Sequence, residues 1–123
     1  MNQKIARFLA ENAPATPCLV VDLDVIAKAY HMLRRYLPIA TVYYAVKANP
    51  APEIVAMLAK MGSNFDVAST GEIDLCLGNG ATPQRLSFGN TIKKERDIAA
   101  AYAAGVRLFA FDSEAELGKL ARV

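Results

Sequence analysis

Hydrophobic and polar residues alternate along this chain in two patterns, one typical of strands and the other of helices. The first extended run is Thr16–Val21, and Asp22 directly after it is a candidate helix N-cap. Apolar residues then repeat at helical spacing from Ile26 to Leu37, and Pro38 ends that pattern. The first part of the chain therefore predicts one strand followed by one helix.

A strand–helix unit then recurs four times. β-branched and aromatic residues predict a strand over Thr41–Ala48, and Asn49–Pro52 is a turn. Further strands are predicted over Phe65–Ala68, Arg85–Asn90 and Val106–Asp112, and helices over Ile54–Met61, Ser69–Leu77, Lys93–Ala104 and from Ser113 onward. The spacing leaves room for one crossover helix between successive strands, which predicts parallel strands.

This order of elements predicts an α/β fold with residues 1–38 as an N-terminal strand and helix and residues 39–123 as four βα units. Two architectures fit the pattern: an open doubly wound sheet and the N-terminal half of a (β/α)8 barrel, which normally needs about 250 residues. The chain has 123 residues and ends inside a predicted helix. We therefore expect it to be part of a longer polypeptide.

Composition and charge exclude several classes of protein. Hydrophobic residues make up 54% of the chain and charged residues 21%, which argues against intrinsic disorder. The net charge is only +2 and is dispersed, so we expect no nucleic-acid partner. No apolar stretch approaches the roughly 20 residues that span a membrane. We expect a cytoplasmic protein with two reduced cysteines and, with a single histidine, no metal site.

Lys47 is the first candidate for chemistry. It lies at the end of an apolar predicted strand, where alternation places it on the same face as Tyr43 and Ala45. Ligands bind at the carboxyl ends of strands in both architectures. A lysine held there among apolar neighbours would lose hydration, and a neutral amine can form a Schiff base with a carbonyl group. The alternative is a lysine that extends to water.

Two carboxylates are further candidates. Asp66 lies in the short apolar strand predicted next, on the approach to the following helix, where it could hydrogen-bond a cofactor or pair with a backbone N–H. Glu72 belongs to the pattern Ser69-x-x-Glu72, which is typical of a capping box in which the glutamate bonds back to the N-cap N–H. Ser113-x-x-Glu116 has the same pattern, and we assign it no chemistry.

The junction between the predicted strand Arg85–Asn90 and the helix that follows allows two interpretations. Ser87, Asn90 and Thr91 lie where backbone amides could receive an anion, and helix capping explains them equally well. The charged run Lys93–Arg96 that follows is interpreted as a solvated first helical turn.

Four segments resemble motifs of a known family. Tyr43–Asn49 (YYAVKAN) is similar to the pyridoxal-phosphate lysine motif of the fold-type III, alanine-racemase-like enzymes. Phe65–Ile73 (FDVASTGEI) resembles the second signature of the ornithine/diaminopimelate decarboxylase branch. Ser87–Lys93 (SFGNTIK) is similar to the third-strand segment of ornithine and lysine decarboxylases, and Phe111–Leu117 (FDSEAEL) to the fourth-strand signature.

The resemblance implies a pyridoxal-phosphate (PLP) binding barrel rather than an open sheet. It also implies that the strand around Leu19–Val21 belongs to a C-terminal β-domain outside these residues. Carried over to this sequence, Lys47 would form the Schiff base with PLP, Asp66 would lie near that lysine and the cofactor ring, and Glu72 would lie in the wall of the active site.

The resemblance also implies a reaction. It is the PLP-dependent decarboxylation of a basic amino acid, ornithine or possibly lysine, to a diamine in polyamine biosynthesis, by a homodimer. Two alternatives stay open: diaminopimelate decarboxylase in lysine biosynthesis, and a non-catalytic decarboxylase-like binding or regulatory protein. We expect residues 1–123 alone to be inactive.

Overall fold

The computed structural model describes residues 2–123, which divide into two compact units at the boundary between Pro38 and Ile39. The first unit holds helices α1 (Gln3–Asn12) and α2 (Leu23–Tyr36). The second unit is a sheet with four helices. Within the described residues, no helix is both long and apolar enough to cross a bilayer.

A single lysine joins the N-terminal ends of α1 and α2. The Lys4 ammonium lies 3.2 Å from Asp22 and 2.6 Å from Asp24. Asp22 is the N-cap of α2, as the sequence predicts, and Asn2 caps α1 in the same way by accepting from the Lys4 N–H. Helix α1 was not predicted, although Asn2 followed by apolar residues at helical spacing is a signal that could have found it.

The predicted strand Thr16–Val21 is wrong for the part of the chain that the structure describes. No strand forms there, and Leu19 is 81% exposed. A strand needs a neighbour to satisfy its backbone N–H and C=O groups, and none of residues 2–123 pairs with this segment. That this segment belongs to a further domain remains a prediction.

The second unit is a parallel four-stranded sheet in the order β1-β2-β3-β4. The strands are β1 (Tyr43–Ala45), β2 (Asn64–Val67), β3 (Leu86–Phe88) and β4 (Leu108–Phe109), and the helices are α3 (Pro52–Lys60), α4 (Thr70–Gly78), α5 (Glu95–Ala103) and α6 (Glu114–Ala121). Short 3-10 segments cover Val46–Ala48 and Pro83–Arg85. The strands follow one another without the reversal of a doubly wound sheet, which is the order of a barrel segment.

The edge strands are shorter than the sequence predicts. The run Thr41–Ala48 contains strand only over Tyr43–Ala45, and Val106–Asp112 only over Leu108–Phe109. Strand β4 pairs with β3 at only these two positions. The apolar pattern predicts where a strand lies, whereas its length depends on how far the neighbouring strand accompanies it.

The two faces of the sheet have different environments. Phe65, Val67, Leu86 and Phe88 are fully buried, and they alternate with half-buried polar residues. The helices contribute most of the other buried apolar side chains: Ile54, Val55, Leu58, Ala59, Ile73, Cys76, Ile98 and Ala101. The helices therefore cover one face, and the opposite face carries the polar side chains.

A buried charge cluster ties α6 to the loop before α5. The Lys93 ammonium lies 3.0 Å from Glu116 Oε1, with both side chains at most 2% exposed, and Lys119 pairs with the other carboxylate oxygen. The prediction of a solvated turn at Lys93–Arg96 is therefore wrong at Lys93, and α5 begins only at Glu95. Lys93 is buried because Glu116 and two carbonyl oxygens satisfy its charge.

Replacing Phe65 by alanine should lower the free energy of unfolding of the intact protein by about 3–5 kcal/mol. The reason is that this ring has no exposed surface at the centre of the sheet, so its loss leaves a cavity. Urea denaturation followed by circular dichroism measures the change. Ile92→Ala is the control, because Ile92 is 76% exposed. A loss for Ile92→Ala as large as that for Phe65→Ala would contradict this account of the core.

The cluster predicts an acid-dependent part of the stability. The hydrogen bond from Lys119, together with Lys93, holds the pKa of Glu116 below its usual 4.5. A carboxylate with a lowered pKa stabilises the folded state fully above about pH 4.5, and this contribution disappears as the pH falls through the lowered value. The difference in unfolding free energy between wild type and Glu116→Gln should therefore be constant at neutral pH and shrink in acid.

The matched control for this titration is Glu114→Gln, because Glu114 lies two residues before Glu116 on the same helix but is exposed. Urea denaturation of the three proteins between pH 3 and 7 gives the comparison. A difference between wild type and Glu116→Gln that grows as the pH falls would show that the sign is wrong.

Candidate active site

One row of residues crosses all four strands on the polar face of the sheet. Ala45 lies opposite Asp66, Asp66 opposite Ser87, and Ser87 opposite Leu108. Ala45, Asp66 and Ser87 are half-buried, and two of the three are polar. Three of the four positions in this row thus carry small or polar side chains, close to the carboxyl ends of the strands.

Lys47 follows this row at the end of β1. It belongs to the 3-10 segment Val46–Ala48, in which Val46 is fully buried and Lys47 is exposed. The expected burial of Lys47 is therefore wrong within residues 2–123, where the side chain extends to water as the alternative interpretation has it. The strand ends at Ala45, and none of the described residues covers the outer side of the turn.

The Lys47 amine forms no ion pair and no hydrogen bond with the described residues, a property that it shares with other exposed lysines such as Lys60; its place at the carboxyl end of β1 distinguishes it. An amine that is free of partners and reachable is what condensation with an aldehyde requires. Lys47 therefore fits a cofactor that is held through an aldehyde group.

The Asp66 carboxylate packs directly against the backbone of Gly89. A Cβ atom at Gly89 would lie 1.9 Å from Asp66 Oδ1 and 2.7 Å from its Cγ, so only glycine leaves room for this side chain. The Gly89 N–H also donates to Val67 O at 2.9 Å, which continues the ladder between β2 and β3. This contact was not predicted; its one signal in the sequence is the glycine directly after β3.

Glu72 has a structural role that differs in one detail from the prediction. The Ser69 hydroxyl accepts the Glu72 N–H at 3.2 Å, which confirms Ser69 as the N-cap of α4. The Glu72 carboxylate accepts the N–H of Ala68 at 2.7 Å, rather than that of the N-cap residue itself.

Burial, with the charge of Glu72 adding to it, raises the pKa of Cys76 to about 11, so the thiol stays protonated at neutral pH.

Asn90 connects two strand ends instead of capping a helix. Its side-chain N–H donates to the carbonyl oxygen of Ala68 at 3.0 Å. The N-cap of α5 is Lys94, with no side-chain cap bond, so the capping interpretation of Asn90 and Thr91 is wrong.

The comparisons with known proteins agree with this geometry. Residues 23–123 match the family model described as pyridoxal-dependent decarboxylase, pyridoxal binding domain. The chain belongs to this decarboxylase family. It is 42% identical over 122 residues to the lysine/ornithine decarboxylase of Selenomonas ruminantium, a match that covers 99% of this chain and 31% of the relative.

Solved structures show the same fold. A crystal structure of the lysine decarboxylase of S. ruminantium superposes with a TM-score of 0.88 at 41% identity, over 99% of this chain and 32% of that one. The arginine decarboxylase of Paramecium bursaria Chlorella virus gives 0.88 at 28% identity, over 98% of this chain and 32% of that one. The fold is therefore that of the N-terminal part of a PLP-binding barrel, and the cofactor of the family is PLP. The chain spans about a third of the length of these relatives.

Replacing Gly89 by alanine should lower the free energy of unfolding of the intact protein by about 1–3 kcal/mol, because the new methyl group displaces the Asp66 carboxylate. The same substitution in an Asp66→Ala background should cost much less, because the clashing atoms are then absent. A double-mutant cycle of urea denaturation curves measures this coupling.

Gly78→Ala is the control, because a Cβ atom at this helical position meets nothing within 4 Å. It should leave the stability unchanged or raise it by up to about 1 kcal/mol. Equal costs for Gly89→Ala with and without the Asp66 carboxylate would contradict the contact.

Proposed function

We propose that the protein decarboxylates a basic amino acid, ornithine or possibly lysine, to the corresponding diamine, with PLP as cofactor. The observation that carries the proposal is the unpartnered amine of Lys47 at the carboxyl end of β1, in a chain that belongs to the pyridoxal-dependent decarboxylases. We further propose that the intact enzyme is a cytoplasmic homodimer and that its product enters polyamine biosynthesis.

Lys47 is the residue that we propose holds PLP, through a covalent bond between Nζ and the cofactor aldehyde. When bound, PLP supplies an electron sink for the electron pair that remains when carbon dioxide leaves the substrate. To hold the cofactor, Nζ would have to be unprotonated, and its condensation with the aldehyde would release water. Its position on a short turn anchored by the buried Val46 fixes the backbone while the side chain stays reachable.

Asp66 and Glu72 differ in what they offer the cofactor. The Asp66 carboxylate lies on the polar face of the sheet, on the strand next to Ala45 and directly opposite it. Its contact with Gly89 restricts its position. We propose that it contacts PLP. Glu72 is held at the start of α4 by the N–H of Ala68, so we propose that it forms part of the wall of the site.

The relatives act on related amino acids by their names. They are the lysine/ornithine and lysine decarboxylases of one organism, S. ruminantium, and a viral arginine decarboxylase. Each of these names specifies an amino acid with a basic side chain. The identities of 42% and 41% favour lysine and ornithine over arginine, at 28%.

The test is to load the intact protein with PLP and to treat it with borohydride. Wild type should be yellow, lose its colour on reduction and carry PLP on the peptide that contains Lys47, as found by mass spectrometry. Lys47→Ala should bind PLP without becoming covalently labelled and should lose decarboxylation by at least about 1,000-fold, since nucleophilic catalysis at this step depends on one amine.

Lys60→Ala is the control, because Lys60 is an exposed lysine at the end of α3. It should label and react like wild type. Release of putrescine, cadaverine, agmatine or lysine from ornithine, lysine, arginine or diaminopimelate identifies the substrate. A colourless wild-type protein that takes up no PLP would contradict the proposal and favour a non-catalytic binding protein.

A further inference from the structure

We propose that Lys93 is a positioning residue that holds the carboxyl ends of β2, β3 and β4 in the arrangement that the cofactor requires. This inference rests on the proposed function, because it concerns the same edge of the sheet. Lys93 itself lies outside the candidate site, in the loop between β3 and α5, and acts through the residues that it binds.

The Lys93 ammonium is fully partnered in a buried position. Its side chain is 1% exposed, and Nζ lies 2.7 Å from Asn90 O, 2.5 Å from Ala110 O and 3.0 Å from Glu116 Oε1. The three N–H donors of an ammonium thus have three acceptors. The same nitrogen lies 5.7 Å from the centre of the Phe88 ring, which adds a favourable cation–π contact.

These acceptors come from three different elements. Asn90 follows β3, Ala110 follows β4, and Glu116 lies on α6. Glu116 Oε1 also accepts the backbone N–H of Lys93 at 3.0 Å, so the loop is held by both its main chain and its side chain. Lys93 therefore fixes the ends of two neighbouring strands relative to one helix.

The network continues from Asn90 to the end of β2. The Asn90 side chain donates to Ala68 O at 3.0 Å, and the Ala68 N–H donates to Glu72 at 2.7 Å. An unbroken series of hydrogen bonds therefore runs from Ala110 through Lys93 and Asn90 to the start of α4. It crosses the carboxyl ends of three consecutive strands.

The contact between Asp66 and Gly89 lies between the fixed points of this network. Asn90 directly follows Gly89, and Ala68 comes two residues after Asp66. Because the carboxylate leaves no room at Gly89, a small movement of either strand end would change the position of Asp66. Such displacements reduce cofactor affinity and catalysis even when no contact to the cofactor is lost.

A lysine at position 93 can hold the strand ends in place, whereas an apolar residue cannot. A buried ion pair adds little net stability compared with well-packed apolar side chains, because desolvation opposes the attraction between the charges. An apolar residue could fill the same space, but it could not bind the two carbonyl oxygens. The ammonium thus contributes a defined arrangement of the strand ends more than it contributes stability.

The experiment compares Lys93→Met with Lys94→Met in the intact holoenzyme. Lys94 is the adjacent lysine and is exposed. Lys93→Met should raise the dissociation constant of PLP about 10- to 100-fold and lower kcat more than it changes KM, as loss of a residue that orients a site does. It should also speed hydrogen exchange at the Ala68 and Gly89 amides. Lys94→Met should stay within twofold of wild type in each measurement.

Asn90→Ala is a second variant for the case that Lys93→Met does not fold. It removes only the link to Ala68 and leaves the buried ion pair intact, so the variant should fold. Like Lys93→Met, it should weaken PLP binding and speed hydrogen exchange at the Ala68 amide. A folded variant with a lowered Tm but wild-type PLP affinity, or with unchanged exchange at Ala68, overturns the inference. A wild-type protein that binds no PLP overturns the proposed function instead, and exchange at Ala68 then decides the role of Lys93 in holding the strand ends.

Discussion

Burial of one face of a parallel sheet fixes where the candidate side chains lie. Phe65, Val67 and Phe88 are packed into the core, and side chains alternate with a period of two, so Asp66 must emerge on the opposite face. A slip of one residue would place Asp66 among the helices and expose the aromatic rings. The free energy that selects the core register therefore also assembles the row through Asp66 and Ser87.

Local patterns in the sequence predict the features that depend on neighbouring residues. Ser69 caps α4, and the Ser113 hydroxyl accepts the Glu116 N–H at 3.2 Å, because a capping pattern is complete within four residues. The parallel order of the strands is also predictable from the recurring units. The environment of Lys93 is not, because its acceptors Ala110 and Glu116 lie 17 and 23 residues further along the chain.

The residues of the candidate site are likewise predictable in part from local patterns. The position of Lys47 at a strand end follows from the apolar run before it, but its exposure depends on what packs over the turn, which a local pattern does not contain. The roles that we propose for Asp66 and Glu72 rest on the resemblance to a family. The contact of Asp66 with Gly89 requires the pairing of β2 with β3, so it becomes visible only when the two strands are placed side by side.

The charge cluster shows how stability and geometry can be separate properties of one interaction. Glu116 accepts from the backbone and ammonium of Lys93 and pairs with Lys119, so removing either lysine leaves part of a buried carboxylate unsatisfied. Each member is thus costly to change alone, even though the complete cluster contributes little net energy relative to an apolar core. We infer that its value lies in selecting one arrangement of the loops after β3 and β4, which only directional bonds can do.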